Sequence, residues 1–189
     1  MSLKKHAISS DTAKNIPLGA GILVHNLVFE TNDWKYDELG ASNGGNKVAY
    51  EREYLDLEVD GKTVKVEGFD VKVSETGKMT INLAEYKKET LIPALGLVKD
   101  SSASVTGYEK YKPSKTNIYL DNVGFVGYTA EGKAIIVKFP KAICLSAFEL
   151  ELKNKEQGVM ALEFDAVAPT SSDNYEELGI EFYFPVETV

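Results

Sequence analysis

The sequence has two histidines, one cysteine and one tryptophan in 189 residues. Those side chains do much of the metal binding and nucleophilic chemistry near neutral pH, so such chemistry has little to start from. His6 and His25 have no partner at metal-ligand spacing, and neither is near Cys144 in the chain. Cys144 sits in the apolar run AICLSAF and reads as a buried, inert thiol. A lone cysteine also excludes any disulfide within the chain. There is no P-loop, no G-x-S-x-G and no glycine-rich strand-to-helix turn. The longest apolar stretch, GAGILVHNLVF, is too short and too interrupted to span a bilayer, and the N-terminus lacks an apolar signal core. The expectation is a chain made in the cytoplasm with no membrane partner. A basic surface is missing too: the net charge is -8 and the pI about 4.9, which disfavours a protein that grips phosphates.

What remains is ordinary globular composition, 43% hydrophobic and 26% charged, in a chain long enough to bury one core. Residues 1–17 are polar and without period, an N-terminal arm closed by Pro17, and 18–189 read as one domain. LGAGILVHNLVFE reads as a strand with a bulge near its glycines. The stretch 31–47, TNDWKYDELGASNGGNK, reads as a long loop that carries Trp34 and Tyr36 and is functional or lies on a partner. Alternation over 48–59, a DGK turn at 60–62 and a strand from Val64 follow, with a change of parity at Gly68 that suggests a bulge.

Across a SETGK turn, Phe69, Val71 and Val73 then pair with Met79, Ile81 and Leu83, which leads into a helix over 83–95. Asn82 is its expected cap, with Glu85 completing a capping box. Residues 97–115 suggest a weak strand and a loop, and TNIYLDNVGFVGYT and AIIVKFPKAICL two strands about an EGK turn. In a second hairpin, Phe148, Leu150 and Leu152 alternate with Glu149, Glu151 and Lys153. After NKEQG, Met160, Leu162 and Phe164 alternate with Ala161, Glu163 and Asp165. LGIEFYFPV is the last strand. The fold class is mostly antiparallel β, a sandwich or partly open barrel of about eight strands with one helix over an edge or end.

The acid pairs Glu149 with Glu151 and Glu163 with Asp165 suit a glycosidase in principle, but a solvated strand face explains them more simply. We expect no enzyme and no cofactor. Trp34, Tyr36, Tyr108 and Tyr111 offer the alternative of a monomeric β-sandwich binding module for glycan or protein, although they are scattered over loops and strands. Two hairpins that each keep a polar face, together with an arm and a long loop, suggest repeated association. Long edge strands need to be covered or paired with a copy of the same chain.

In this order of elements the chain resembles the tail tube proteins, or major tail proteins, of long-tailed bacteriophages. The resemblance runs from about residue 18 to 184 and rests on two segments, KTVKVEGFDVKVSETGKMTINLAEYKKETLIPAL and AFELELKNKEQGVMALEFDAVAPTSSD. It implies hexameric rings stacked into a hollow tube in the virion tail, assembled in the host cytoplasm, in which two hairpins per subunit complete a continuous inner β-barrel. DNA passes through it during ejection without specific binding, and tape measure and terminator proteins are further partners. The tubes of contractile tails, tailocins and type VI secretion particles are the related alternative.

Carried over, the hairpins are 62–83 and 147–167. The lumen face is Asp70, Lys72, Ser74, Lys78, Thr80, Asn82, Glu149, Glu151, Lys153, Ala161, Glu163 and Asp165, with five acids against three bases. The loop bearing Trp34 and Tyr36 and the N-terminal arm reach neighbouring rings.

Overall fold

The computed structural model describes residues 7–9, 11–102, 105–152, 154–170, 175 and 177–186. Among the described residues, ten strands and one helix follow one another in the order β1 Pro17–Glu30, β2 Asp33–Glu38, β3 Ser42–Asp56, β4 Asp70–Leu83, α1 Lys88–Ala94, β5 Leu97–Lys99, β6 Tyr111–Pro113, β7 Tyr119–Thr129, β8 Ala134–Cys144, β9 Met160–Ala166 and β10 Glu181–Tyr183. Eight of the strands form one antiparallel sheet in the order β2-β1-β7-β8-β9-β4-β3, with β10 paired to β8, and β5 and β6 form a small second sheet. The expected mostly antiparallel β architecture is therefore what folds.

β8 is where the large sheet divides. β7 pairs along one edge of it, whereas the other edge takes β10 at Ile136–Lys138 and β9 at Ala142–Cys144. Pro140 lies between those two pairings, where its missing N–H costs no ladder bond. The main core draws on both ends of the sheet: Leu23 of β1, Met79, Ile81 and Leu83 of β4, Val123 of β7, Phe139 of β8 and Leu162 and Phe164 of β9 are all buried together. A smaller cluster of Val24, Leu27, Val126 and Ile136 packs on the opposite face of β1, β7 and β8.

Several local expectations are corrected. Residues 31–47 are not one loop: Thr31 and Asn32, with φ of 52° and 63°, make a two-residue turn between Glu30 and Asp33, and β2 and the start of β3, joined by Leu39, Gly40 and Ala41, make up the rest. No turn occurs at SETGK, because β4 runs unbroken from Asp70 to Leu83 and pairs with β3. Gly77 serves packing there: a Cβ on it would lie 2.5 Å from Ile180 Cδ1 and 3.0 Å from Phe139 Cζ. The DGK turn forms, with Lys62 N donating to Val59 O, but Val64 and Val66 stay off the ladder, so residues 57–69 are the loop of the β3–β4 hairpin. The parity change belongs to Val73, skipped between the pairs Glu53 with Ser74 and Tyr54 with Lys72, and Gly68 sits in a turn.

The bulge near the β1 glycines is present, between Leu18 and Ile22. Pro17 opens β1 instead of closing an arm. The helix starts at Lys88, five residues later than expected, because the amides of Ala84 and Glu85 both bond to Ala41 O. The Glu85 carboxylate accepts Ala41 N at 3.1 Å, and Asn82 Nδ2 donates to Gly45 O, so neither caps the helix. Thr90, buried, holds α1 to the sheet through Leu39 O at 2.6 Å.

Candidate functional surface

Strands β9, β4 and β3 lie side by side, and alternation gives them two unlike faces. Met160, Leu162 and Phe164 stand opposite Leu83, Ile81 and Met79 on the core side. On the other side Ala161, Glu163 and Asp165 stand opposite Asn82, Thr80 and Lys78, which in turn stand beside Lys47, Ala49, Glu51 and Glu53 of β3 through the pairs Lys47 with Thr80, Ala49 with Lys78, Glu51 with Thr76 and Glu53 with Ser74. Of the sequence-derived channel residues, this polar face gathers Ser74, Lys78, Thr80, Asn82, Ala161, Glu163 and Asp165.

Some of its charges are paired within the chain, while Asp165 Oδ1 is buried with no hydrogen-bond partner. Lys78 Nζ donates to Glu163 Oε1 at 2.7 Å and lies 3.8 Å from Asp165 Oδ1. The hydrogen bond to Glu163, with the nearby Asp165 charge, raises the Lys78 pKa, so the ammonium form is favoured. Ser74 Oγ donates to Glu53 Oε2 at 3.1 Å. The four carboxylates Glu51, Glu53, Glu163 and Asp165 outnumber the two ammonium groups of Lys47 and Lys78. A duplex lying against this face meets net repulsion, with no cluster of cations to release its counterions.

The other expected members are not there. Past the Val73 bulge the parity of β4 reverses, so Lys72 stands beside Tyr54 and reaches Glu75 on the core-side face, at 3.1 Å, and Asp70 shares its side. Glu149 and Glu151 lie in an exposed segment, 145–152, that has no strand pairing in place of the expected first strand of the second hairpin. Lys153 lies outside the described residues. Thr76, Lys47, Glu51 and Glu53 were missed. The assumed turn hid the first, and although alternation over 48–59 marked a strand, nothing in it placed that strand beside the later part of β4, so its charged side was not assigned to this face.

Trp34 is half-buried, packed edge-to-face between Phe29 and Tyr183 with ring centroids 5.1 and 4.9 Å away, while Tyr36 is exposed. Tyr108 is exposed beyond the small sheet, and the Tyr111 hydroxyl donates to Glu109. Among the described residues no ring contact joins the first two aromatics to the last two, so they do not form one stacking platform. Cys144 is half-buried at the end of β8, and burial pushes its thiol pKa up, away from a reactive thiolate. Among the described residues no three His, Cys, Asp or Glu side chains gather in a way that could hold a metal ion, and no helix is long and apolar enough to cross a membrane. No protein-family model matches the chain, and no curated protein sequence matches it.

Proposed function

We propose that this chain is a self-assembling structural subunit of the tail-tube kind, whose copies join edge to edge into hexameric rings and stack into a hollow tube that conducts DNA. The observation that carries this reading is the build of the β9-β4-β3 sheet. One face is sealed by the core over β9, the later half of β4 and Val48 of β3, the other is polar with its Lys78–Glu163 ion pair closed within the chain, and β3 ends the sheet, its Asn46 bonding Gly21 O of β1 at 2.9 Å. Beyond Asn46 that edge has no strand partner among the described residues, and such an edge recruits another chain unless it is blocked, while closure into a ring of copies removes it. The polar face then lines the channel, where its net negative charge lets phosphates slide past. Catalysis plays no part in this reading.

Negative-stain microscopy of the purified protein at rising concentration tests it. Rings or hollow tubes of uniform width are expected. A chain that stays monomeric at every concentration, or assembles only into irregular aggregates, overturns it.

A further inference from the structure

The far half of the β3–β4 hairpin projects beyond the core. Every residue from Glu51 to Gly61 is exposed, and the loop presents Leu57, Val59, Val64 and Val66 to solvent, Val64 at 70% exposure. Isolated exposed apolar side chains are unremarkable, but three valines and a leucine on one short ordered loop form a patch that water does not favour. The loop is held in shape from within. The Lys62 ammonium, its side chain only 8% exposed, bonds the Asp56 carboxylate and Leu57 O and lies 5.0 Å from the centroid of the Phe69 ring. From 56 to 70 the chain has five acids and two lysines, a net charge of -3, and both lysines are engaged, Lys62 with Asp56 and Lys65 with Asp70.

The opposite balance is found around α1 and the small sheet. Between α1, the small sheet and the end of β8 lies a groove of about 640 Å³ whose lining includes Ala94, Leu97, Ile118, Ile143, Leu145 and Phe148. Leu145 and Phe148 on it are 65% and 56% exposed. From 85 to 115 the chain has six lysines and four acids, a net charge of +2 in a protein of net charge -8. Two of those acids each hold two lysines: Glu109 pairs with Lys88 and Lys99 at 2.8 and 2.7 Å, and Asp100 with Lys110 and Lys112 at 3.2 and 3.6 Å. The Lys88 and Lys99 ammonium groups hold the Glu109 carboxyl down at about 2. This flank therefore carries a net excess of lysines.

We infer that the loop 57–69 of one copy docks in the groove beside α1 of a second copy, its valines and leucine covering the apolar lining and its excess acids facing the lysines of the small sheet. The inference rests on the self-assembly reading and gives it a direction. The loop lies beyond the Asp70 end of β4, whereas Ile143 and Leu145 of the groove stand, across β9, level with Lys78 and Thr80, so ~26 Å of extended strand from Asp70 to Lys78 separates them and one chain does not make the contact to itself. The contact is heterologous, head to tail, and each copy that docks leaves a free loop at one end and a free groove at the other, so the assembly extends along one axis. Its charged part strengthens encounter at low salt and weakens as salt screens it.

Two proteins with one cysteine each test this: Cys144→Ser with Val64→Cys, and Cys144→Ser with Leu145→Cys, both new cysteines at exposed positions. Treated with a short bis-maleimide, the mixture is expected to give a cross-linked dimer at least fivefold more abundant than either protein alone. The yield falls when 0.5 M NaCl is added or when Glu58→Lys and Asp60→Lys are placed in the loop. Cross-linking no better in the mixture than in the separate proteins overturns the docking. Microscopy of the same samples keeps the two proposals apart: tubes without the mixed cross-link leave the tube reading standing and remove this contact, whereas the mixed cross-link in open chains without rings does the reverse.

Discussion

The Glu75 carboxylate accepts the backbone amide of Leu178 at 2.9 Å, joining the middle of β4 to the segment that leads into β10. The same carboxylate takes the Tyr50 hydroxyl at 3.0 Å and the Lys72 ammonium at 3.1 Å, and its side chain is only 9% exposed. Tyr50 in turn packs edge-to-face on Phe182 of β10, 5.5 Å between centroids. One buried acid thus gathers β3, β4 and the C-terminal strand where the two halves of the sheet diverge.

Burial alone would raise the Glu75 pKa, but the hydrogen bonds from Leu178, Lys72 and Tyr50 outweigh it and the folded value lies below the ordinary 4.5. A depressed folded pKa stabilises the fold above the unfolded value, and that contribution is lost as pH falls through the folded value. Glu75→Gln is therefore expected to cost about 1–3 kcal/mol at pH 7, from donors left poorly paired. The gap to the wild type narrows below about pH 4.5. Urea unfolding of both proteins between pH 3 and 7 measures it, and a pH-independent difference refutes the linkage.

Gly77→Ala addresses packing. The added methyl would meet Ile180 Cδ1 at 2.5 Å, Phe139 Cζ at 3.0 Å and Ala166 Cβ at 3.1 Å, three neighbours that belong to or pack on the main core. Overpacking of this kind costs about 1–3 kcal/mol. A lowered denaturation midpoint with an unchanged slope is expected. An unchanged midpoint would mean that the C-terminal segment carrying Ile180 yields freely.

Lys62→Met separates local order from global stability. The substitution keeps the aliphatic stem beside Phe69 but removes the bonds to Asp56 and Leu57. Because the loop lies outside both core clusters, the unfolding midpoint should stay near the wild-type value while amide exchange over 57–69 rises several-fold. Equal exchange in the two proteins would show that Lys62 does not organise the loop.

Alternation and turn residues in the sequence marked β1, β7, β8, β9, β10, the later parts of β3 and β4 and one weak strand where β5 and β6 pair, because each has an alternating or Gly- or Pro-bounded run. Where the reading failed, a local signal was outvoted by packing. Gly77 looked like a turn residue, yet it lies in a strand because Ile180 and Phe139 leave no room for a Cβ. Asn82 looked like a helix cap and instead bonds Gly45 across to β3. The polar face was half legible: Lys78, Thr80, Asn82, Glu163 and Asp165 follow from period two, but Asp70 and Lys72 were assigned to the wrong side. A single-residue bulge at Val73 reverses parity, and valine gives no hint of one.

The electrostatic character of the polar face can be tested on the single chain, without assembly. Glu51 and Glu163 both stand on it, on β3 and β9 with β4 between them. Replacing both by Lys turns four acids and two lysines into two acids and four lysines. Both positions lie at the surface, so the melting midpoint should stay close to that of the wild type. Binding of a labelled DNA duplex, followed by anisotropy, is expected to be absent in the wild type and present in the double variant at 50 mM salt. It should weaken steeply as salt rises, since each added phosphate contact releases counterions. If the wild type binds the duplex as well as the variant does, this face does not repel DNA, and a channel lined by it would hold its cargo.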